Sequence, residues 1–129
     1  MATKLTPKTL QLVEGKNFAF LAVVLPDGSP HVAPVWIDHE GDLLLVNTAM
    51  GRVKQKNSTK GKRVSLAISD QENMYERVVI QGRVVDQTHQ GADAHIDKLA
   101  NKYTGAKKYQ RSSPDEKRVI IKIEALRII

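Results

Sequence analysis

Residues 17–38 read NFAFLAVVLPDGSPHVAPVWID, and this stretch decides the fold. Its first half, Asn17 to Leu25, is an apolar run in which both alternating sets of side chains are hydrophobic, which predicts a strand buried on both faces. Asp27-Gly28 then supplies the positive φ angles of a tight hairpin turn. The return strand, Pro30 to Asp38, contains Pro34, and proline cannot donate a ladder hydrogen bond. We therefore predict an antiparallel hairpin in which Pro34 lies at a sheet edge, at a bulge or beside a ligand.

The rest of the chain continues the antiparallel pattern outward from this hairpin. Glu40-Gly41 turns the chain into a third strand, Leu43 to Asn47, which completes a three-strand meander. Upstream, Thr6-Pro7 opens a short helix that Gly15 ends. The remaining predicted elements are a basic helix at 52–58, strands at 63–70, 76–87 and 117–128, and a helix at 90–103. Six strands and three small helices without βαβ alternation predict a mainly β fold, a six-stranded antiparallel barrel.

Length and composition restrict the class of protein. The 129 residues, 41% of them hydrophobic, suit one domain over residues 1–129. Because cysteine is absent, disulfides, cysteine zinc sites and thiol nucleophiles are excluded. No apolar run nears membrane-spanning length and the N-terminus lacks signal-peptide features, so we expect a cytoplasmic protein without a membrane partner. The net charge of +6 favours an anionic partner: nucleic acid, a lipid headgroup or a phosphorylated small molecule.

The segment NTAMGRVKQKN, residues 47–57, is the strongest candidate for a binding site. A strand end that runs into a helix start presents backbone amides, a hydroxyl and cations to one point, which suits a phosphate. On an ideal helix Arg52 and Lys56 share a face while Lys54 lies on another, so all three reach one phosphate only if the first turn is irregular. A solvated basic helix fits the same spacing.

Other features fit packing as well as ligand binding. A row of small residues, Ser65, Ala67 and Ser69, leaves room for a flat ligand or for another strand. Trp36 shares a strand face with Pro34, where it stacks on an aromatic ligand or packs in the core. The four histidines lack metal-ligand spacing, so no metal site is predicted. No catalytic motif can be read, so the catalytic residue stays unknown and a bound cofactor would supply the reactivity of an enzyme.

Five motifs in fixed order carry a family resemblance. They are FLAV at 20–23 before PDGSPHV at 26–32, PVW at 34–36, NTAMGRVK at 47–54, and DQENMY at 70–75 before Gly82. Together they resemble the pyridoxamine 5'-phosphate oxidase-like split β-barrels, and within them the small branch of deazaflavin (coenzyme F-420)-dependent oxidoreductases. The resemblance covers nearly the whole chain. It implies a six-stranded split barrel that forms a homodimer, with two cofactor sites in grooves at the subunit interface.

The resemblance also implies roles for individual residues. Arg52 and Lys54 match the family's phosphate-binding cations. The backbone around Pro34 matches the segment that runs along the tricyclic ring, and Tyr75 belongs to a loop that often reaches across the interface. The full set of residues that the resemblance assigns to the cofactor is Ala33, Pro34, Val35, Asn47, Thr48, Arg52, Lys54, Lys56 and Tyr75.

The function that the resemblance implies is an oxidoreductase that transfers hydride from reduced coenzyme F-420, or from FMN, to a small organic substrate. Carbon 5 of a reduced deazaflavin delivers the hydride and solvent supplies the proton, so no catalytic side chain is assigned. FMN and the deazaflavin coenzyme share the ring and the first phosphate, which leaves both open. The alternatives are a carrier of the same cofactor without turnover, and a basic nucleic-acid-binding barrel, against which the small number of aromatic residues argues.

Overall fold

The computed structural model of the protein describes residues 2–129. In chain order the elements are α1 (Pro7–Glu14), β1 (Ala19–Val24), β2 (Pro30–Val35), β3 (Asp38–Glu40), β4 (Leu43–Ala49), α2 (Val53–Lys56), β5 (Arg63–Ser69), β6 (Arg77–Thr88), α3 (Ala92–Thr104) and β7 (Arg118–Ile128). The mainly β class with small helices is confirmed. Within the described range, no helix has both the length and the apolar character that crossing a membrane requires.

A single seven-stranded sheet runs in the order β2-β1-β5-β6-β7-β4-β3, and every neighbouring pair is antiparallel. The twelve-residue strand β6 bends at two irregularities in its pairing with β7, one of them between Gln81 and Gly82. A Cβ atom on Gly82 would lie 2.7 Å from Ile123 Cγ2 and 2.8 Å from the carbonyl oxygen of Glu124, so only glycine fits this crossing of β6 over β7.

The predicted three-strand meander is wrong. Strand β4 pairs with β3 and β7, and β2 and β4 lie towards opposite ends of the sheet. The reason is a break after Val35: Ile37 is fully buried, and its backbone N–H donates to the hydroxyl of Tyr103 at 3.1 Å instead of to a strand. The chain resumes as β3, a three-residue strand that raises the count from the predicted six to seven.

The predicted β1–β2 hairpin is confirmed, with Pro34 opposite Phe20. Strand β2 forms one edge of the sheet, which accounts for its prolines. The predicted burial of β1 on both faces is wrong within one chain, because no element in residues 2–129 covers the outer face of the hairpin. Phe20 is 46% exposed and Val32 is 64% exposed, whereas Leu21 on the opposite face of β1 is buried.

The two longer helices cover the sheet from different sides. Helix α1 begins at Thr6, whose hydroxyl accepts the N–H of Thr9, and it buries Leu12 and Val13 in the main core. Helix α3 packs on β7 and β4 and buries a separate set of side chains, including Ile96, Leu99 and Ala100. The position of α3 beside the end of β4 forms one wall of the groove described next.

Candidate functional site

An open groove of about 240 Å³ lies between β2, the end of β4, the start of α2, and α3. Its walls differ in chemistry. One wall is aromatic and apolar, and the other is cationic. The lining residues are Phe18, Pro34, Val35, Trp36, Ile96 and Tyr109 on the first wall, and Asn47, Arg52, Lys54 and Arg118 on the second.

The cationic wall carries three positive side chains and one acid. Glu116 Oε2 lies 3.0 Å from Arg118 Nη1, and Glu116 Oε1 lies 3.5 Å from Arg52 Nη2. Lys54 is half-buried, and no carboxylate of residues 2–129 lies within 4.0 Å of its ammonium group. The groove therefore holds an excess of positive charge, as an anion site requires.

Lys54 lies in an environment that disfavours its own charge. Burial lowers the pKa of Lys54 from its ordinary value, and the charges of Arg52 and Arg118 lower it further. An anion bound between these groups would remove the repulsion. Part of the free energy of binding an anion here would thus come from removing the repulsion that Lys54 experiences in the folded protein.

The geometry of α2 explains how two of the three predicted cations meet. Arg52 precedes the helix with an extended backbone, φ −75° and ψ 156°, so it does not follow helical spacing. Arg52 and Lys54 consequently line the groove together, while Lys56 is exposed outside it. The backbone N–H of Gly51 is already bound to Gln55 Oε1 at 2.9 Å. The positive charge that this segment contributes to the groove therefore comes from the side chains of Arg52 and Lys54.

Arg118, at the start of β7, is the cation that sequence analysis missed. It is 3% exposed, its Nε donates to Asn47 Oδ1 at 2.9 Å, and its guanidinium lies 4.8 Å from the ring centre of Tyr109. Burial raises the pKa of Glu116, but hydrogen bonds from Ser112 and the charge of Arg118 outweigh this and hold that pKa below its ordinary value. Glu116 therefore stays ionised and holds the guanidinium in place.

The aromatic wall is fixed by a stack of rings. Trp36 lies parallel to Tyr103 with 5.2 Å between ring centres, and Phe18 stacks on Tyr103 at 5.5 Å. The hydroxyl of Tyr103 donates to the carbonyl oxygen of Asn17 at 2.5 Å. Tyr109 meets Trp36 edge-on at 6.4 Å. Trp36 thus packs against α3, as one interpretation of the sequence predicts, and it also lines the groove, while its stacking on an aromatic ligand stays a prediction.

The single chain brings together five of the nine residues that the resemblance assigned to the cofactor: Pro34, Val35, Asn47, Arg52 and Lys54. The other four lie outside the groove. Of these, Thr48 is buried at 1% exposure and Tyr75, in the loop between β5 and β6, is 86% exposed. Ala33 is half-buried on β2, and Lys56 is exposed. Their roles stay predictions.

Two further groove residues had different signals in the sequence. Arg118 is a charged residue in the strand Arg118–Ile128, on the alternating face that α3 covers, and a buried charge in such a position indicates a site. Tyr109 lies in the polar loop after α3 and had no such signal. Its backbone N–H is held by Asp97 Oδ1 at 2.9 Å, which is a contact between positions twelve residues apart.

The match to known families decides the classification. Residues 5–129 match the family model of pyridoxamine 5'-phosphate oxidase. The chain belongs to this family. Among solved structures, the chain of this pyridoxamine 5'-phosphate oxidase family member is similar to an F420 reductase, with 26% identity and a TM-score of 0.79, over 92% of this chain and 94% of that one.

Structures with lower identity share the split-barrel fold alone. General Stress Protein 26 from Bacillus anthracis is 21% identical with a TM-score of 0.65, over 94% of this chain and 88% of that one. The FAD and heme binding protein from Mycobacterium smegmatis is 14% identical with a TM-score of 0.63, over 95% of this chain and 67% of that one. No curated protein sequence matches significantly. The resemblance to the pyridoxamine 5'-phosphate oxidase-like split barrels is confirmed.

The half-buried carboxylate of Asp38, which lies outside the groove, gives a pH-dependent prediction. Burial raises the pKa of Asp38, but hydrogen bonds from His95, from the His39 backbone and from Lys98 hold it well below its ordinary value. A carboxylate with a depressed pKa stabilises the fold above its unfolded pKa, near 4, and loses this contribution as the pH falls. We expect Asp38→Asn to lower the free energy of unfolding by about 2 kcal/mol at pH 7. The difference between the two proteins should shrink below about pH 4.

Urea unfolding of the wild type and Asp38→Asn at pH 7 and pH 3 measures this difference. Asp115→Asn, in the exposed loop before β7, is the control and should leave the unfolding free energy unchanged at both values. A loss in Asp38→Asn that is the same at both pH values would contradict the assignment to the ionised carboxylate.

Proposed function

We propose that the protein is an oxidoreductase that binds FMN or coenzyme F-420 in this groove and uses the reduced cofactor to transfer hydride to a small organic substrate. The observation that carries the proposal is the groove itself, in which three cations and a single carboxylate lie beside a rigid aromatic wall. A phosphate joined to a flat ring needs this pair of surfaces. The F420 reductase at 26% identity supports the deazaflavin as one of the two cofactors.

The cationic wall fits the phosphate. Lys54 has a charge without a carboxylate partner among residues 2–129, and Arg52 and Arg118 keep N–H donors beyond those that Glu116 occupies. These three side chains would bind the phosphate oxygens with charge-assisted hydrogen bonds. Because Arg118 is buried and Lys54 half-buried, little water competes for the same oxygens.

The apolar wall fits the ring. Pro34, Val35 and Ile96 exclude water from the groove, and the stacked Trp36 cannot move without disturbing Tyr103. When bound and reduced, a flavin or deazaflavin supplies a hydride at its ring. The part of this chain is to bind the phosphate, to orient the ring along β2 and to keep water from that face. We assign no side chain as acid or base.

We also propose that the protein is a homodimer and that its outer hairpin face lies in the interface. Phe20, Val24 and Val32 expose 46%, 53% and 64% of their surface on this face. Apolar side chains that cluster on one sheet face in this way favour a protein partner. A second copy would also bring the exposed loop with Met74 and Tyr75, which are 73% and 86% exposed, within reach of a groove.

The dimer proposal predicts a monomer on substitution of Phe20. Phe20→Asp would place a carboxylate in an apolar interface, and burying an unpaired charge costs several kcal/mol. We expect light scattering at micromolar concentration to give twice the chain mass for the wild type and one chain mass for Phe20→Asp. Ala94→Asp, on the exposed face of α3, adds the same charge elsewhere and should stay dimeric. A monomeric wild type would refute the dimer.

Titration with FMN and, separately, with coenzyme F-420 tests the function, followed by ring fluorescence. Binding of either one at micromolar affinity, with hydride transfer from its reduced form to an electron acceptor, supports the proposal. Binding without transfer to any of a panel of conjugated acceptors would make the protein a carrier. Binding of neither, with retention on heparin at physiological salt, would replace the proposal with a nucleic-acid-binding barrel.

A further inference from the structure

The amide of Asn47 is bound within the protein and does not face the groove with free groups. Its Oδ1 accepts from Arg118 Nε at 2.9 Å. Its Nδ2 lies 2.9 Å from the carbonyl oxygen of Ala92 and 3.0 Å from His95 Nδ1. Asn47 therefore acts on a groove ligand through Arg118.

These contacts determine which nitrogen of His95 carries the proton. The carbonyl of Ala92 needs a donor and Arg118 Nε needs an acceptor, so the orientation of the Asn47 amide is fixed from both ends. Nδ2 then donates to His95 Nδ1, which must be unprotonated. His95 Nε2 carries the proton and donates to Asp38 Oδ2 at 3.0 Å. This network requires a neutral imidazole.

We propose that Asn47 and His95 are positioning residues that hold the Arg118 guanidinium in the groove, and that His95 does so only while it is neutral. The proposal rests on the proposed function, in which Arg118 binds the cofactor phosphate. It adds a dependence of phosphate binding on the protonation of a side chain that does not line the groove.

Protonation of His95 would disrupt these hydrogen bonds. A proton on Nδ1 would face the Nδ2 donor of Asn47, and only a flip of the amide would remove the conflict. The flipped amide would point its donors at Arg118 Nε and remove the donor from the Ala92 carbonyl. An unsatisfied buried group is costly, and as the imidazole gains charge the Arg118 guanidinium loses its Asn47 acceptor and is held by Glu116 without it, so its orientation in the groove is less fixed.

Several charged groups surround His95 besides those of its own helix. Asp38 on β3 binds His95 Nε2, and the same carboxylate oxygen lies 3.1 Å from Lys98 Nζ. A second cavity, of about 360 Å³, lies on the far side of α3. It is lined by Asp38 together with His39 and Glu40 on β3 and Lys122 on β7. His95 itself also lines this cavity.

Nuclear magnetic resonance of the protein without cofactor tests the network directly. Nitrogen-15 shifts of the imidazole should identify the tautomer with the proton on Nε2. The Arg118 Nε–H signal should be visible and slow to exchange at pH 8, and it should broaden when the sample is acidified. In Asn47→Asp a carboxylate accepts from Arg118 and from protonated His95 together, so acid should no longer broaden the signal.

Binding of FMN between pH 8 and pH 5.5 tests the consequence for the groove. The phosphate of FMN also titrates near pH 6, so the informative quantity is the difference between variants. We expect the affinity of the wild type to fall about tenfold more than that of His95→Gln, whose amide does not titrate. His31→Gln, on β2, removes another histidine and should keep the wild-type profile.

The two measurements separate this inference from the proposed function. The other tautomer, or an Arg118 signal that acid does not change, overturns the positioning network even if FMN binds. Equal pH profiles for the wild type and His95→Gln overturn the coupling to the groove. Failure of both FMN and coenzyme F-420 to bind at any pH refutes the proposed function and the coupling, while the resonance data still decide whether Asn47 and His95 hold Arg118.

Discussion

Lys54→Ala is expected to weaken cofactor binding by roughly 1.5–3 kcal/mol, the range for a hydrogen bond to a charged group, which is about tenfold or more in affinity. The same substitution should leave the free energy of unfolding unchanged or slightly higher. Lys54 is half-buried, has no carboxylate partner in the described part of the chain, and its charge is repelled by Arg52 and Arg118. Its removal therefore costs the folded protein nothing in pairing, and alanine also favours the helix.

Titration of Lys54→Ala with the cofactor that the wild type binds measures the affinity. Urea unfolding of the same variant measures the free energy of unfolding. Lys56→Ala is the matched control, because Lys56 lies two residues further along α2 and outside the groove. Its affinity and stability should match those of the wild type. Arg52→Ala should weaken binding less than Lys54→Ala, since Arg52 already pairs with Glu116. An unchanged affinity in Lys54→Ala would place the phosphate elsewhere.

Arg118→Met is expected to have the largest effect on stability. Removing one member of a buried ion pair leaves the other charge uncompensated and costs about 3–5 kcal/mol. Here Glu116 keeps a contact with Arg52 and one with the Ser112 hydroxyl, so we expect the lower end, about 3 kcal/mol. Cofactor binding should be lost as well, because the buried cation of the groove is removed.

The double variant Glu116→Gln with Arg118→Met separates folding from binding. The substituted amide would carry no charge, so the double variant should recover much of the lost stability while its cofactor affinity stays low. Urea unfolding and cofactor titration of the two single variants and the double variant provide the cycle. Recovery of binding together with stability would contradict a direct role of Arg118 in the groove.

Local sequence rules predicted the elements that local chemistry determines. The Asp27-Gly28 turn, the capping of α1 by Thr6 and the edge position of Pro34 all follow from the conformations and hydrogen bonds of a few neighbouring residues. The pairing of Arg52 with Lys54 in one groove depends only on the extended backbone before α2. Pro34, Val35 and Asn47, the other assigned residues in the groove, come from β2 and β4 and join this pair only through the fold of the sheet.

What could not be predicted depends on contacts distant in sequence. The break after Val35 follows from a hydrogen bond between Ile37 and Tyr103, which are 66 residues apart. The partner of β4 is the last strand of the chain, so the meander fails for a reason that no local pattern contains. Arg118 is held in the groove by a hydrogen bond to Asn47, which lies 71 positions away in the sequence. The cationic half of the site is therefore completed only by the folded sheet.

Because Trp36 stacks on Tyr103, its fluorescence can report on both the groove and helix α3. The chain has one tryptophan, and that indole lies on the wall of the groove while its other face touches a tyrosine of α3. A flavin or deazaflavin bound there would accept excitation energy from the indole and dim its emission. Departure of α3 would instead remove the stacking partner and shift the emission towards that of indole in water. Loading of the groove would thus lower the intensity of the tryptophan emission, and detachment of the helix would shift its wavelength, so the two events are distinguishable without a label.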